Sequence, residues 1–234
     1  MKPSEIAQLH NLCKIIGELK SQLIEELPHF GHHALFFQND EITTGQLNNK
    51  TEIKIHMLTG QLVFFHNENG YFIDITKDNI SEHLTKIISD YDLKMPEIQI
   101  GTVSHSELST FYDYAIKAKR TIELFRMTLG GKFTLVHLWP DHFDFSVEWF
   151  TGKKDEQIGT GISPGDEQYP EPYLYLNPYP FNQKVTQNNL PVGKWHTSTW
   201  NGIKVDRDDL AKYPQNEVTD LLHQLFLVAK KNFE

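Results

Sequence analysis

With a single cysteine, Cys13, the chain can form no internal disulfide. It also lacks a long apolar run. Glu5, Lys14, Glu18 and Lys20 interrupt the N-terminal segment well before it could serve as a secretory leader, and no stretch approaches the ~18 to 20 apolar residues of a membrane span. The cytoplasm is the expected compartment, with no membrane partner. There, the glycosylation-like patterns Asn49-Lys50-Thr51 and Asn79-Ile80-Ser81 carry no meaning. Segregated basic charge is missing too. The formal net charge is -9, and the densest basic stretch spreads Lys117, Lys119, Arg120 and Arg126 around a helix that also holds Glu123. That is an ordinary solvated face, so nucleic acid is not an expected partner. There is no Gly-rich phosphate loop, no HExxH and no H-x-H.

What is present suits a globular protein: 39% hydrophobic and 12% aromatic residues over 234 positions. That length can bury a sizeable core as one domain, residues 1–234, without a metal or disulfide to hold it. Ile6, Leu9, Cys13, Ile16, Leu19 and Leu23 recur at helical spacing over Ser4–Leu27, and Pro28 ends the run. Cys13 sits on that stripe and reads as a small buried hydrophobe. Short strands follow at His33–Gln38, Thr51–Met57, Gln61–His66 and Tyr71–Ile75, with turns at Thr59-Gly60 and Asn67-Glu68-Asn69-Gly70. The gaps are too short for crossover helices, so the pairing is an antiparallel meander.

A helix opens at Asn79 and Glu82. A capping box, Ser104 with Glu107, opens the longest one, Ser106–Leu129, which Gly130-Gly131 stops. Strands then recur at Lys132–Leu138, His142–Phe150 and Trp195–Val205, around a Tyr- and Pro-rich segment, Gly159–Pro191. A helix from Asn216 to Asn232 closes the chain. Strands grouped between helices predict an α+β fold with a largely antiparallel sheet and helices packed mainly on one side. The order could also describe two similar helix–strands–helix halves.

The most unusual string is Leu138–Phe150, LWPDHFDFSVEWF. Pro140 cannot donate to a sheet ladder and divides it. Strand alternation after Pro140 places Phe143, Phe145, Val147 and Trp149 on the core face. His142, Asp144, Ser146 and Glu148 then share the other face, the expectation for which is solvation. His142 beside Asp144 could orient an imidazole for base catalysis or supply two metal ligands. Among twelve histidines no recognised ligand spacing occurs, so any metal site would have to be assembled from separate strands, as from His142, Asp144 and His196. Gly161-Ile162-Ser163-Pro164-Gly165 has the letters of a nucleophile elbow, but Pro164 has no N–H to offer an oxyanion.

The run HLWPDHFDFSVEWFTG resembles a family of uncharacterised, mostly bacterial proteins grouped as a domain of unknown function. Leu9-His10, Gly17, His32-His33, Thr43-Thr44-Gly45 and the Tyr-Leu-Tyr within Pro172–Pro180 are similar to its other segments. The resemblance covers most of the chain up to about residue 181 and implies one continuous domain; it brings no catalytic residues or substrate with it.

Three functions follow as expectations. The first is binding of a small ligand in an aromatic and histidine-lined pocket, with candidates His32, His33, Trp139, Asp141, His142, Asp144, Tyr173, Tyr175 and His196. The second is a hydrolase, metal-assisted or not, using His142 and Asp144. The third is an interaction protein whose Tyr/Pro-rich segment is the contact surface.

Overall fold

The computed structural model describes residues 1–47 and 50–234. Asn49, with the first glycosylation-like pattern, lies outside the described residues. The fold is α+β with two antiparallel sheets rather than one. The chain divides into two compact units. Unit 1 comprises Pro3–Ala115 and Leu138–Phe143; unit 2 comprises Ile116–His137 and Asp144–Glu234.

In unit 1, α1 (Ala7–Leu23) buries Leu9, Leu12, Cys13, Ile15, Ile16 and Leu19 completely. Each such aliphatic side chain contributes roughly 1.5–3 kcal/mol. Cys13 is sealed, and burial pushes its thiol pKa well above the ordinary range, which leaves it unreactive. The sheet runs β1 (Phe36–Gln38), β2 (Glu41–Thr43), β3 (Thr51–His56), β4 (Gln61–His66) and β5 (Asn69–Asp74) in sequence order, the expected meander. A further hairpin joins β1 to β2 through Asn39 and Asp40, both at positive φ, a conformation that Asn and Asp tolerate. Two helices follow, α2 (Ile80–Ser89) and α3 (His105–Arg126), and α3 runs from unit 1 into unit 2.

The capping box forms at the start of α3: Glu107 N–H donates to Ser104 Oγ at 3.1 Å, and Ser104 N–H to Glu107 Oε2 at 2.9 Å. The other carboxylate oxygen of Glu107 accepts from Gln8 N–H at 2.8 Å, so one side chain ties the starts of α1 and α3 together.

The segment Leu138–Phe143 belongs to this unit. Leu138 exchanges two backbone hydrogen bonds with Leu35, each 2.9 Å. Pro140–Phe143 is a turn, not the first residues of a strand. Phe143 adopts φ +57 and its ring lies in a stack, 4.7 Å from His10 on one neighbour and 4.1 Å from Phe111 on the other. His10 Nε2–H donates to Pro140 O at 2.8 Å. A Cβ on Gly17 would stand 2.7 Å from Pro140 Cγ, so α1 needs glycine there to receive the proline ring.

Unit 2 continues with β6 (Lys132–Phe133), β7 (His137–Trp139), which straddles the boundary, β8 (Asp144–Phe150), β9 (Gln157–Ser163), β10 (Tyr173–Tyr179), β11 (Lys194–Thr197), β12 (Asn201–Asp206), α4 (Arg207–Leu210) and α5 (Gln215–Lys230). The sheet order is β11-β12-β10-β9-β8-β6. Phe145, Val147 and Trp149 of β8 form the apolar face. Trp149 meets Phe226 of α5 edge-on at 5.2 Å and donates its indole N–H to Gly130 O at 2.7 Å. Among the described residues no helix is long and apolar enough to cross a membrane.

Candidate functional site

β8 begins at Asp144, so the polar face of this strand is Asp144, Ser146 and Glu148. It is not solvated: Asp144 and Ser146 are 2% and 1% exposed. Sheet register extends the face across the unit. Ser146 lies opposite Gly161, Gly161 opposite Tyr175, Tyr175 opposite Lys204, and Lys204 opposite Lys194. The neighbouring rows bring Glu148 to Gly159 and set Tyr173 between Ser163 and Asp206.

The glycines of β9 make this crowding possible. A Cβ on Gly161 would stand 2.5 Å from the Tyr175 hydroxyl, and one on Gly159 would stand 2.8 Å from Glu148 Oε1. The Tyr175 ring therefore lies across Gly161, and its hydroxyl donates to Asp144 Oδ2. Burial, with the Asp144 charge beside it, pushes the Tyr175 phenol well above its ordinary range. Glu148 Oε2 is sealed from solvent and has no hydrogen-bond partner. Burial, reinforced by Asp144, raises the Glu148 pKa to about 8, so the carboxyl is mostly protonated at neutral pH.

At the other end of the face the chain builds an open groove of about 610 Å³, lined by Gln168–Pro172 on one side and by Lys204 and Asp206–Asp208 on the other. Its loop is fixed by Asp166, whose Oδ1 accepts from the N–H groups of Gln168 at 2.8 Å and Tyr169 at 2.7 Å. Asp166 Oδ2 accepts from the Tyr173 hydroxyl at 2.9 Å. Lys204 is 4% exposed. Its ammonium pairs with Asp206 and stands 4.5 Å from the Tyr169 ring centre and 5.0 Å from that of Tyr173. Burial works against the Asp206 charge, but Lys204 and Lys194 outweigh it and hold the carboxyl below its usual range.

Beside the groove, His196 is held on three sides. Its ring stacks on Trp200 at 4.2 Å, and Nδ1 lies 2.6 Å from Trp200 O. A carbonyl only accepts, so Nδ1 carries the proton and Nε2 offers a lone pair. Two hydroxyls reach that nitrogen, Tyr169 at 2.6 Å and Ser198 at 3.1 Å.

Of the residues the sequence nominated, Asp144, Tyr173, Tyr175 and His196 come together in unit 2. The others do not join them. Asp141 and His142 are exposed in the turn of unit 1, and Trp139 is half-buried in that unit. His32 and His33 are also in unit 1. Their rings lie 4.4 Å apart, His32 Nδ1 accepts from Leu27 N–H at 3.1 Å, and His33 Nδ1 lies 3.8 Å from Glu18 Oε1. The expected His142–Asp144 strand pair is therefore corrected. Phe143 turns through positive φ between them, and the two fall in different units. Ser146, Glu148, Tyr169, Lys204 and Asp206 were missed as site residues. The period-two pattern carried Ser146 and Glu148, and the alternating glycines of Gly159-Thr160-Gly161 signalled bulky neighbours crossing that strand.

Among the described residues no group of three or more His, Cys, Asp or Glu side chains could hold a metal ion. No protein-family model, curated protein or solved structure matches the chain.

Proposed function

We propose that this protein binds a small polar ligand in the unit 2 groove beside Tyr169 and Lys204. The observation that supports this is the Lys204 ammonium, buried and held against two tyrosine rings at the wall of a concavity of ligand size. A desolvated, preoriented charge of this kind is what a ligand site needs and what ordinary packing avoids. The groove mixes apolar plates, Tyr169, Pro170 and Pro172, with charges of both signs. Lys204 is paired with Asp206, and Arg207 with Glu171 at 2.9 Å. A neutral or zwitterionic ligand rich in hydroxyl or carbonyl groups matches that lining better than a strong anion or cation does.

The pair proposed for a hydrolase, His142 with Asp144, is not assembled on one strand. In the Tyr/Pro-rich segment Tyr173 is buried and Tyr175 half-buried with its hydroxyl engaged by Asp144, which leaves Tyr179 as its exposed tyrosine and gives an interaction surface less support than the groove. The test is thermal denaturation with sugars, hydroxy acids and amino acids. One class is expected to raise the melting temperature saturably; at about 100 times Kd, stabilisation reaches about 2.7 kcal/mol. Lys204→Met should abolish that gain. Were no class to stabilise the protein, or were the gain to survive in Lys204→Met, the groove would not be the site.

A further inference from the structure

We propose that Tyr169 is the acid–base residue of this groove, with His196 as the store for its proton. The inference rests on the groove being a ligand site. Tyr169 belongs to two environments at once: it lines the groove, and its hydroxyl lies 2.6 Å from His196 Nε2. The imidazole is prepared for one task. Nδ1–H is committed to Trp200 O, the ring is fixed against the Trp200 face, and the lone pair of Nε2 points at a hydroxyl. A packing histidine has no need of that combination.

The proton path balances without any outside reagent. The Tyr169 proton passes to His196 Nε2, giving an imidazolium whose two N–H groups both have acceptors, Trp200 O and the phenolate. The phenolate takes the proton of a ligand hydroxyl, so that Tyr169 is again a phenol and the ligand an alkoxide. Lys204, 4.5 Å from the Tyr169 ring centre, provides positive charge while the phenolate and then the alkoxide exist. The chemistry this supports is reversible removal of a proton from the hydroxyl of a hydroxyl-bearing compound. Ser198 reaches the same nitrogen, but at 3.1 Å against 2.6 Å. One lone pair serves one proton donor well, and the shorter bond identifies it as the tyrosine.

Covalent labelling with an arylsulfonyl fluoride tests this without a ligand, so its failure and that of the ligand screen are separate results. The phenol oxygen bonds to sulfur, fluoride leaves, and the phenolic proton goes to His196. Mass spectrometry should find Tyr169 labelled on the order of tenfold faster than Tyr179, an exposed tyrosine of the same unit. His196→Gln should slow Tyr169 by a similar factor and leave Tyr179 unchanged. If that variant does not fold, the wild-type ratio of Tyr169 to Tyr179 decides alone. Label on Ser198 instead, equal rates at the two tyrosines, or indifference to His196→Gln overturns the proposal.

Discussion

Between Phe143 and Asp144 the chain leaves one unit for the other, and the character of its buried interior changes with it. On the unit 1 side, the interior around the run is an aromatic stack, His10, Phe143 and Phe111, closed by one hydrogen bond to Pro140 O. Burial, with Lys14 nearby, lowers the His10 pKa to about 4, so this imidazole is neutral and acts as a packing plate. On the unit 2 side, the next residues on one face are Asp144, Ser146 and Glu148, the first two buried and the third half-buried with one carboxyl oxygen sealed and unpaired. A stack of rings stabilises the fold wherever it occurs. A buried carboxyl pair opposes it: burial and mutual repulsion disfavour two charges there, and Glu148 keeps its proton at neutral pH instead. The same comparison separates the two imidazoles: His10 gives its donor to a turn, whereas His196 aims a lone pair at hydroxyls.

The largest expected effect tests the polar side. Folding raises the Glu148 pKa from an ordinary value near 4.5 to about 8. Between those limits the folded protein holds a proton that the unfolded chain releases. Unit 2 should therefore lose stability as pH rises from about 4.5 to about 8, and the loss should be complete above that window. The span is roughly 3–5 kcal/mol at 1.36 kcal/mol for each pH unit of displacement. Glu148→Gln keeps the shape without the titration, so its stability relative to the native protein should climb through the same window. Urea denaturation at a series of pH values measures this. Parallel curves for the two proteins would mean that the carboxyl is not held protonated.

Next in size is the apolar side. Phe143→Ala empties the position between His10 and Phe111 and should destabilise unit 1 by about 3–5 kcal/mol. Hydrogen exchange of the α1 amides is the appropriate readout, since that helix carries His10 and receives Pro140 at Gly17. Protection of α1 unchanged by the substitution would show that the stack is incidental to this unit.

These two residues also mark where the sequence could be read and where it could not. The α1 stripe, the β3–β5 meander and the Ser104–Glu107 capping box were legible because each is decided within a few residues. The period-two pattern of β8 was legible from Phe145 onward, and its core set Phe145, Val147 and Trp149 is buried. It failed at Phe143, which is buried as expected but from a turn. No local signal announces positive φ at a phenylalanine, and the stack across three chain segments selects it. Solvation of the Asp144 face was the wrong expectation for a related reason. What covers it comes from Tyr175 of β10, 31 residues on, through a register that no pattern within β8 contains. The groove is the extreme case, since Tyr169 and Lys204 meet only because β10 pairs with β12.

The smallest effect sharpens the polar side internally. Gly159 and Gly161 sit two apart on β9, on the same face, and each leaves room for one side chain of the buried row. They differ in what an added methyl would meet. At Gly161 the neighbours are the Tyr175 hydroxyl at 2.5 Å, its Cζ at 2.6 Å and the Phe145 carbonyl at 2.8 Å. The ring is held by its hydroxyl bond to Asp144 and the carbonyl is sheet backbone, so Gly161→Ala should cost about 1–3 kcal/mol. It should also pull the Tyr175 hydroxyl away from Asp144, which leaves a buried carboxylate short of a donor. At Gly159 the three nearest atoms belong to the Glu148 carboxyl, the far end of a side chain with three rotatable bonds. Gly159→Ala should therefore cost less than about 1 kcal/mol, with the Glu148 titration displaced as its carboxyl moves. Urea denaturation of the two variants side by side makes the comparison. Equal costs would show that Tyr175 is as free to move as Glu148, and the tight tyrosine–aspartate contact would no longer be the fixed point of the polar row.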